Sequence, residues 1–208
     1  MKNKSLIEMP PIDFDLPSQM LPDPEEVNYY ALERERKLYL DYDIGFDVMA
    51  IQRRILRWNM EDRGTDPADR KPIWIYIHSY GGHLDYMWGL IDAIEASVTP
   101  VYTVNRGQAC SAASLIFMAG SKRFMMKRAK VVIHEGSAQM AGDSTKVLDA
   151  SDSYRKELKR MKDYILEKTK IPRATLMKKR NNDWELDSDY CLENGVCDTV
   201  IKSIDEVI

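Results

Sequence analysis

The sequence contains little cysteine and little histidine, with three of each among 208 residues. Cys110, Cys191 and Cys197 form no Cys-x-x-Cys pair and have no metal-ligand spacing with the histidines. This cysteine usage fits a reducing compartment, and we expect neither a metal site nor a cofactor.

Long apolar runs are also missing. No stretch approaches the roughly 20 apolar residues that span a bilayer, and the N-terminal segment meets Glu8 and Pro10 too early for the core of a secretory signal. The net charge is −3 and the basic clusters alternate with apolar or acidic residues, so we expect no nucleic-acid or membrane partner. The sequence therefore predicts a cytoplasmic protein.

The composition is sufficient for one folded domain with an appended arm. Hydrophobic residues make up 44% of the chain, which suits a single α/β domain of this length. Five of the nine prolines fall within residues 1–28, so this segment is predicted to be an extended or partly disordered arm. The folded domain is expected over residues 29–208.

Strand and helix signals alternate along this domain. Short β-branched runs predict buried strands, and apolar residues at helical spacing follow them. Such alternation predicts βαβ units and a mostly parallel sheet. The expected strands are 73–77, 98–104, 129–134 and 196–201, and the expected helices are 46–59, 86–94, 111–119, 145–169 and a short one ending before Gly195. The apolar face of helix 145–169 fits either its own domain or a partner.

Ser111 lies in a run of small residues, Gly107-Gln108-Ala109-Cys110-Ser111-Ala112-Ala113-Ser114, between a predicted strand and a predicted helix. Residues without bulk allow a sharp turn, and the free N–H groups at the start of the helix then face whatever Ser111 binds. The pattern is typical of a nucleophile for acyl transfer. A small-residue helix packed in the core is the alternative.

A serine hydroxyl needs a base at neutral pH, and a histidine serves best when a carboxylate orients it. His134 is the favoured base because it follows a buried strand and precedes Glu135-Gly136, although a structural histidine fits the same position. The residues alone leave the carboxylate open, since several aspartates lie downstream of His134: Asp143, Asp149, Asp152, Asp183 and Asp187.

The diglycine Gly81-Gly82 follows the first predicted strand. A backbone N–H here could stabilise an oxyanion together with the N–H of Ala112, or the pair could be a tight turn only. His78 and His83 flank this diglycine and fit a pocket lining or a half-exposed turn equally well.

Together these motifs resemble the proteolytic subunit of the Clp protease, the ClpP family. The resemblance covers residues 70–205 well and residues 30–70 in outline, and it lies in the segments 76–82, 107–120, 131–134 and 195–198. It implies the α/β fold shared by ClpP and the crotonases, with helix 145–169 as a protruding handle between two rings of seven chains. It also implies a serine endopeptidase that hydrolyses unfolded polypeptides inside this barrel and is fed by an AAA+ unfoldase.

The resemblance further implies a role for each site residue. Ser111 would be the nucleophile, His134 the general base and Asp183, in a charged loop, the orienting carboxylate. The N–H groups of Gly82 and Ala112 would form the oxyanion hole. An extended substrate would pair beside the segments that contain Gly81, His83, Glu135 and Gly136.

The sequence departs from the family pattern in these same segments. His78 and Tyr80 stand where the family has Asn and Pro, Glu135-Gly136 replaces Gln-Pro, and residues 1–28 do not resemble the family's axial segment. Two other functions stay open: a noncatalytic or regulatory ring subunit, and a crotonase-type acyl-CoA enzyme with Glu135 as its acid/base.

Overall fold

The computed structural model describes residues 23–136, 139–179 and 183–208 and divides into two compact units, Met1–Glu35 and Arg36–Ile208. In the first unit, helix α1 covers Pro24–Arg34. Residues 1–22 of the expected arm lie outside the described residues.

The last part of the expected arm is helical rather than extended. The side chain of Asp23 accepts the N–H of Glu25 at 2.9 Å, and Pro24 occupies the first turn of the helix. An aspartate cap followed by proline stabilises a helix start, because proline has the required φ and this turn leaves N–H groups unpaired. Helix α1 therefore begins at Pro24, within the segment expected to be extended.

The second unit is an α/β domain. Its elements in the described part of the chain are β1 (Lys37–Leu40), α2 (Val48–Glu61), β2 (Ile73–Ser79), α3 (Leu84–Glu95), β3 (Val101–Cys110), α4 (Ala112–Ala119), β4 (Lys122–Met126), β5 (Lys130–Ile133), α5 (Ser144–Lys168), α6 (Arg173–Lys179), β6 (Trp184–Leu186), α7 (Ser188–Glu193) and β7 (Thr199–Ile201). Short 3₁₀ helices cover Pro67–Asp69 and Ile204–Glu206.

The strands form one sheet in the order β1-β2-β3-β4-β7, and β5 pairs with β3 while β6 pairs with β5. Every pair is parallel except β5 with β6. The predicted α/β class and mostly parallel sheet are thus confirmed.

Strand β3 is longer than the sequence predicts. It continues past Val104 to Cys110 because its second half has its own partner, with Gln108, Ala109 and Cys110 in register with Lys130, Val131 and Val132 of β5. Strands β1, β4 and β6 were not predicted, since each has only three to five residues and depends on pairing with residues far away in the chain.

Helix α5 confirms the helix predicted over 145–169. It begins at Ser144, after the capping residue Asp143, whose side chain accepts the N–H of Lys146 at 3.0 Å. Its buried residues are Met161, Tyr164 and Ile165. The contacts that anchor α5 in the core therefore belong to its second half. None of the helices in the described segments has the length and hydrophobicity that crossing a membrane would take.

Candidate active site

Three neighbouring strands place the candidate residues at one edge of the sheet. Strands β2, β3 and β5 are parallel neighbours, so their carboxyl ends point in the same direction. Gly81-Gly82, Ser111 and His134 follow these three ends within a few residues. This is the edge at which parallel α/β sheets usually form their sites.

Ser111 is the single residue between β3 and α4. Its backbone has φ +53° and ψ −126°, a region that costs a residue with a side chain about 1–3 kcal/mol. Its N–H donates to the Val132 carbonyl at 2.9 Å, and its carbonyl accepts the N–H of Ser114 at 2.9 Å. The turn is thus held from both sides, and the half-buried hydroxyl lies at the amino end of a buried helix.

The neighbouring thiol does not compete with this hydroxyl. Cys110 is buried, and burial raises the pKa of its thiol because the thiolate would lose solvation. A buried protonated thiol is a poor nucleophile, so Ser111 is the candidate nucleophile of the turn.

His134 and Asp183 are in direct contact. The distance from His134 Nδ1 to Asp183 Oδ1 is 3.1 Å, and the antiparallel register of β5 and β6 explains it. Ile133 is paired with Trp184. His134, which follows Ile133, therefore lies opposite Asp183, which precedes Trp184. This contact occupies Nδ1 and leaves Nε2 of the imidazole as the atom that can accept a proton.

The Asp183 carboxylate is solvent-exposed. Its side chain is 76% exposed, whereas that of His134 is 34% exposed. An ion pair this open to water contributes only about 0–1 kcal/mol, so the contact orients the imidazole more than it stabilises the fold. No hydrogen bond joins the Ser111 hydroxyl to the His134 imidazole, although both residues lie in the described part of the chain.

Gly81 lies against the Ser111 turn. A Cβ atom placed on Gly81 would be 2.6 Å from the Cys110 carbonyl oxygen, 2.8 Å from Ser111 Cβ and 3.0 Å from the Ala112 nitrogen. The φ of Gly81 is +103° and that of Gly82 is +149°, both in the region that favours glycine. Only glycine therefore allows this turn to approach the candidate nucleophile so closely.

The amide of Gly82 points toward the same turn. Ile44 donates its N–H to the Gly81 carbonyl at 2.7 Å, and there is no cis peptide bond among the described residues. In a trans peptide the C=O and N–H point in opposite directions, so the Gly82 N–H faces away from Ile44. It faces the side of β2 on which β3 and Ser111 lie.

Two backbone N–H groups near the Ser111 turn are thus unpaired among the residues that the structure describes. The Ala112 N–H belongs to the first residue of α4, where helical N–H groups have no partner within the helix. Within the described residues, neither this amide nor that of Gly82 donates a hydrogen bond. An unpaired N–H at a helix start, together with a second unpaired N–H nearby, can stabilise a negative oxygen atom.

His83, Glu135 and Gly136, which are expected beside a substrate strand, also lie at this edge. They differ from one another in their hydrogen bonds and exposure. The N–H of His83 donates to the Ile44 carbonyl at 2.8 Å, so it is not free to pair with a peptide. Gly136 is exposed and has φ +74°. Glu135 accepts two contacts from α5: its carbonyl accepts the Tyr154 hydroxyl, and its carboxylate pairs with Lys162.

A mostly apolar pocket adjoins His134. It is lined by Ile133, His134, Glu135, Leu158, Met161, Lys162, Ile165, Leu176, Lys179 and Trp184. Sequence reasoning missed this pocket, although the repeat of Leu158, Met161 and Ile165 on one face of α5 was a visible signal. The walls from α6 and β6 could not be found, because neither element was predicted.

A family model described as Clp protease matches residues 29–204. The chain is 29% identical over 183 residues to ATP-dependent Clp protease proteolytic subunit 2 of Frankia casuarinae, covering 84% of this chain and 79% of that protein. Proteins of the same name from Treponema pallidum and Treponema denticola are 29% and 32% identical over 134 and 139 residues, 64% of this chain in each case and 67% and 68% of those proteins.

Proposed function

The chain belongs to the Clp protease family, and we propose that it is a serine endopeptidase with Ser111, His134 and Asp183 as its catalytic residues. One observation carries this proposal: Ser111 occupies a strained strand-to-helix turn beside the strand end that bears the paired His134 and Asp183. A strained turn that exposes a hydroxyl is typical of activated serine nucleophiles.

The geometry supports a stepwise acyl transfer. His134 Nε2 would take the proton of the Ser111 hydroxyl as its oxygen attacks the carbonyl carbon of a peptide bond. Asp183 would hold the imidazole in the tautomer with the proton on Nδ1. His134 would then protonate the leaving amine, and a water molecule activated by the same imidazole would release the acyl group from Ser111.

The negative oxygen of the tetrahedral intermediate would be bound by the N–H groups of Gly82 and Ala112. A preorganised donor of this kind typically contributes about 3–4 kcal/mol to transition-state stabilisation. Backbone donors suit the task here, because the turn at Gly81 and the start of α4 are already fixed before a substrate arrives.

The pocket beside His134 supports at most a small apolar group near the cleaved bond, because its free volume is only about 20 Å³. Its walls are Ile133, Leu158, Met161, Ile165 and Leu176, with Trp184 at one side. We expect the segments at Gly81 and Gly136 to hold the peptide as an added strand.

We also propose that the chain assembles into heptameric rings, two of them stacked, in the cytoplasm and receives unfolded polypeptides from an AAA+ unfoldase. The first half of α5 supports a role in assembly, because it has no buried residue and Leu148 there is 67% exposed. Native mass spectrometry would test this, and a monomer at micromolar concentration would contradict it.

Labelling with a fluorophosphonate tests the catalytic proposal. The wild-type protein should form an adduct at Ser111, Ser111→Ala should form none, and His134→Ala should react at least about a hundredfold more slowly. Ser121→Ala is the matched control, since this serine is exposed and bonds only to the Val101 carbonyl. A folded protein without an adduct at Ser111, where a known serine peptidase reacts, would overturn the proposal and leave a noncatalytic ring subunit.

Glu135 argues against the acyl-CoA alternative. Its carboxylate is paired with Lys162 at 3.2 Å, and its side chain is 28% exposed. This carboxylate is thus already engaged by Lys162 of α5, which leaves it less available to an acyl-CoA substrate.

A further inference from the structure

Helix α5 holds the main chain directly after His134. The Tyr154 hydroxyl donates to the Glu135 carbonyl at 2.8 Å, and Lys162 Nζ lies 3.2 Å from Glu135 Oε1. A Cβ atom on Gly136 would lie 3.7 Å from the same tyrosine hydroxyl. One residue after His134 is therefore tied to α5 through both its backbone and its side chain, an arrangement that we call the Glu135 clamp.

The clamp is partly shielded from water. The side chains of Glu135 and Lys162 are 28% and 25% exposed, and Tyr154 is half-buried. Charges that are partly removed from solvent interact more strongly than those on an open surface. The Glu135 clamp is therefore a stronger restraint than the exposed contact between His134 and Asp183.

His134 needs such a restraint because its other contacts leave its position open. Asp183 fixes the rotation of the imidazole about its bonds but lies mostly in water. Strand β5 ends at Ile133, one residue earlier, and Gly136 has a backbone that glycine alone adopts readily. The main chain around His134 is thus held by the strand on one side and by α5 on the other.

We propose that Tyr154 and Lys162 are positioning residues, which act through Glu135 to hold His134 where it can accept the proton of Ser111. The expected effect on kcat rests on the proposed function, whereas the expected effect on the position of His134 does not. In this arrangement α5, which is not part of the sheet, helps to position His134, the proposed general base.

Two substitutions test the clamp, Tyr154→Phe and Lys162→Met. Each should lower kcat for a short peptide substrate about tenfold, because small displacements of a catalytic group affect the chemical step most. Tyr154→Phe, which lies outside the pocket beside His134, should also leave KM nearly unchanged. Lys162→Arg should keep the wild-type kcat, since it preserves the ion pair.

Two control variants remove similar contacts elsewhere on α5. Lys159→Met removes an exposed pair with Asp163 at 2.8 Å, and Tyr164→Phe removes a hydroxyl contact to Glu95 at 2.8 Å. Both should leave kcat unchanged, even if the second lowers stability. A clamp variant that behaves like these controls would overturn the inference.

A readout independent of activity separates this inference from the proposed function. The chain has only three histidines, so ¹³C-histidine NMR can follow His134 alongside His78 and His83. The clamp variants should shift the His134 resonance alone, even in a protein that never reacts with a fluorophosphonate. An unmoved His134 resonance in both variants would overturn the clamp, whereas a moved resonance without any activity would refute only the peptidase assignment.

Discussion

Replacing Gly81 with alanine should disturb the candidate nucleophile directly. The new methyl group would lie 2.6 Å from the Cys110 carbonyl oxygen and 2.8 Å from Ser111 Cβ, both closer than van der Waals contact allows. Neither neighbour can swing aside, because Ser111 is held by its bond to the Val132 carbonyl. Gly81→Ala should therefore push the Ser111 turn away from β2.

The loss in the free energy of unfolding has two causes, and a matched control variant separates them. Gly64 has φ +89° with nothing within 4 Å of an added Cβ, so Gly64→Ala pays only for the left-handed backbone, about 1–2 kcal/mol. Gly81→Ala also overlaps fixed atoms, which typically adds about 1–3 kcal/mol. We expect the free energy of unfolding to fall by about 2–5 kcal/mol in Gly81→Ala.

Urea unfolding at a fixed protein concentration would measure these free energies, and fluorophosphonate labelling would follow Ser111. Gly81→Ala should label at least about tenfold more slowly than wild type, since misplacing a reacting group by about 1 Å can cost a hundredfold. Gly64→Ala should label at the wild-type rate. Equal stability and equal labelling of the two variants would refute the close approach of Gly81 to the nucleophile.

Two further predictions concern titrating groups. The Arg36 guanidinium donates to Asp62 at 2.7 Å and lowers the pKa of this carboxyl below its ordinary 3.8. The ion pair therefore stabilises the fold fully above pH 3.8, and this stabilisation is lost as the pH falls through the lower pKa of the folded state. Asp62→Asn should thus lower the free energy of unfolding by about 1.5–3 kcal/mol at neutral pH and progressively less in acid; a urea series giving a constant difference would contradict this. Burial raises the pKa of the Cys110, Cys191 and Cys197 thiols, that of Cys197 to about 11. Iodoacetamide should therefore modify the native protein far more slowly than the unfolded chain. Mass spectrometry would measure both rates, and equal rates would contradict this.

The parts of the fold predicted correctly depend on local signals. Helix α5 was readable because Leu158, Met161 and Ile165 repeat at helical spacing, and β2 was readable from five consecutive strand-forming residues. Helix α1 was missed although its signal was present, since Asp23 and Pro24 form a helix start within a proline-rich segment. Local patterns therefore sufficed wherever one element carries its own periodicity.

The site depended on pairing between distant segments, which a single sequence does not reveal. Asp183 could not be chosen among five aspartates from the residues alone, because its position opposite His134 comes from the register of β5 with β6. The extension of β3 to Cys110 likewise needed β5 as a partner. The Glu135 clamp was equally hidden, since Tyr154 and Lys162 appear in the sequence only as ordinary residues of an amphipathic helix.

The sheet forks along β3. Residues 102–105 of this strand pair with β4, whereas residues 108–110 pair with β5 on the same side. The branch formed by β5 and β6 bears both His134 and Asp183. Three residue pairs join it to β3, and the bond from the Ser111 N–H to the Val132 carbonyl joins it to the turn that follows. If β5 separated from β3, the His134 imidazole and the Asp183 carboxylate would move together. An intact contact between these two side chains therefore does not establish that the Ser111 hydroxyl is close to the imidazole.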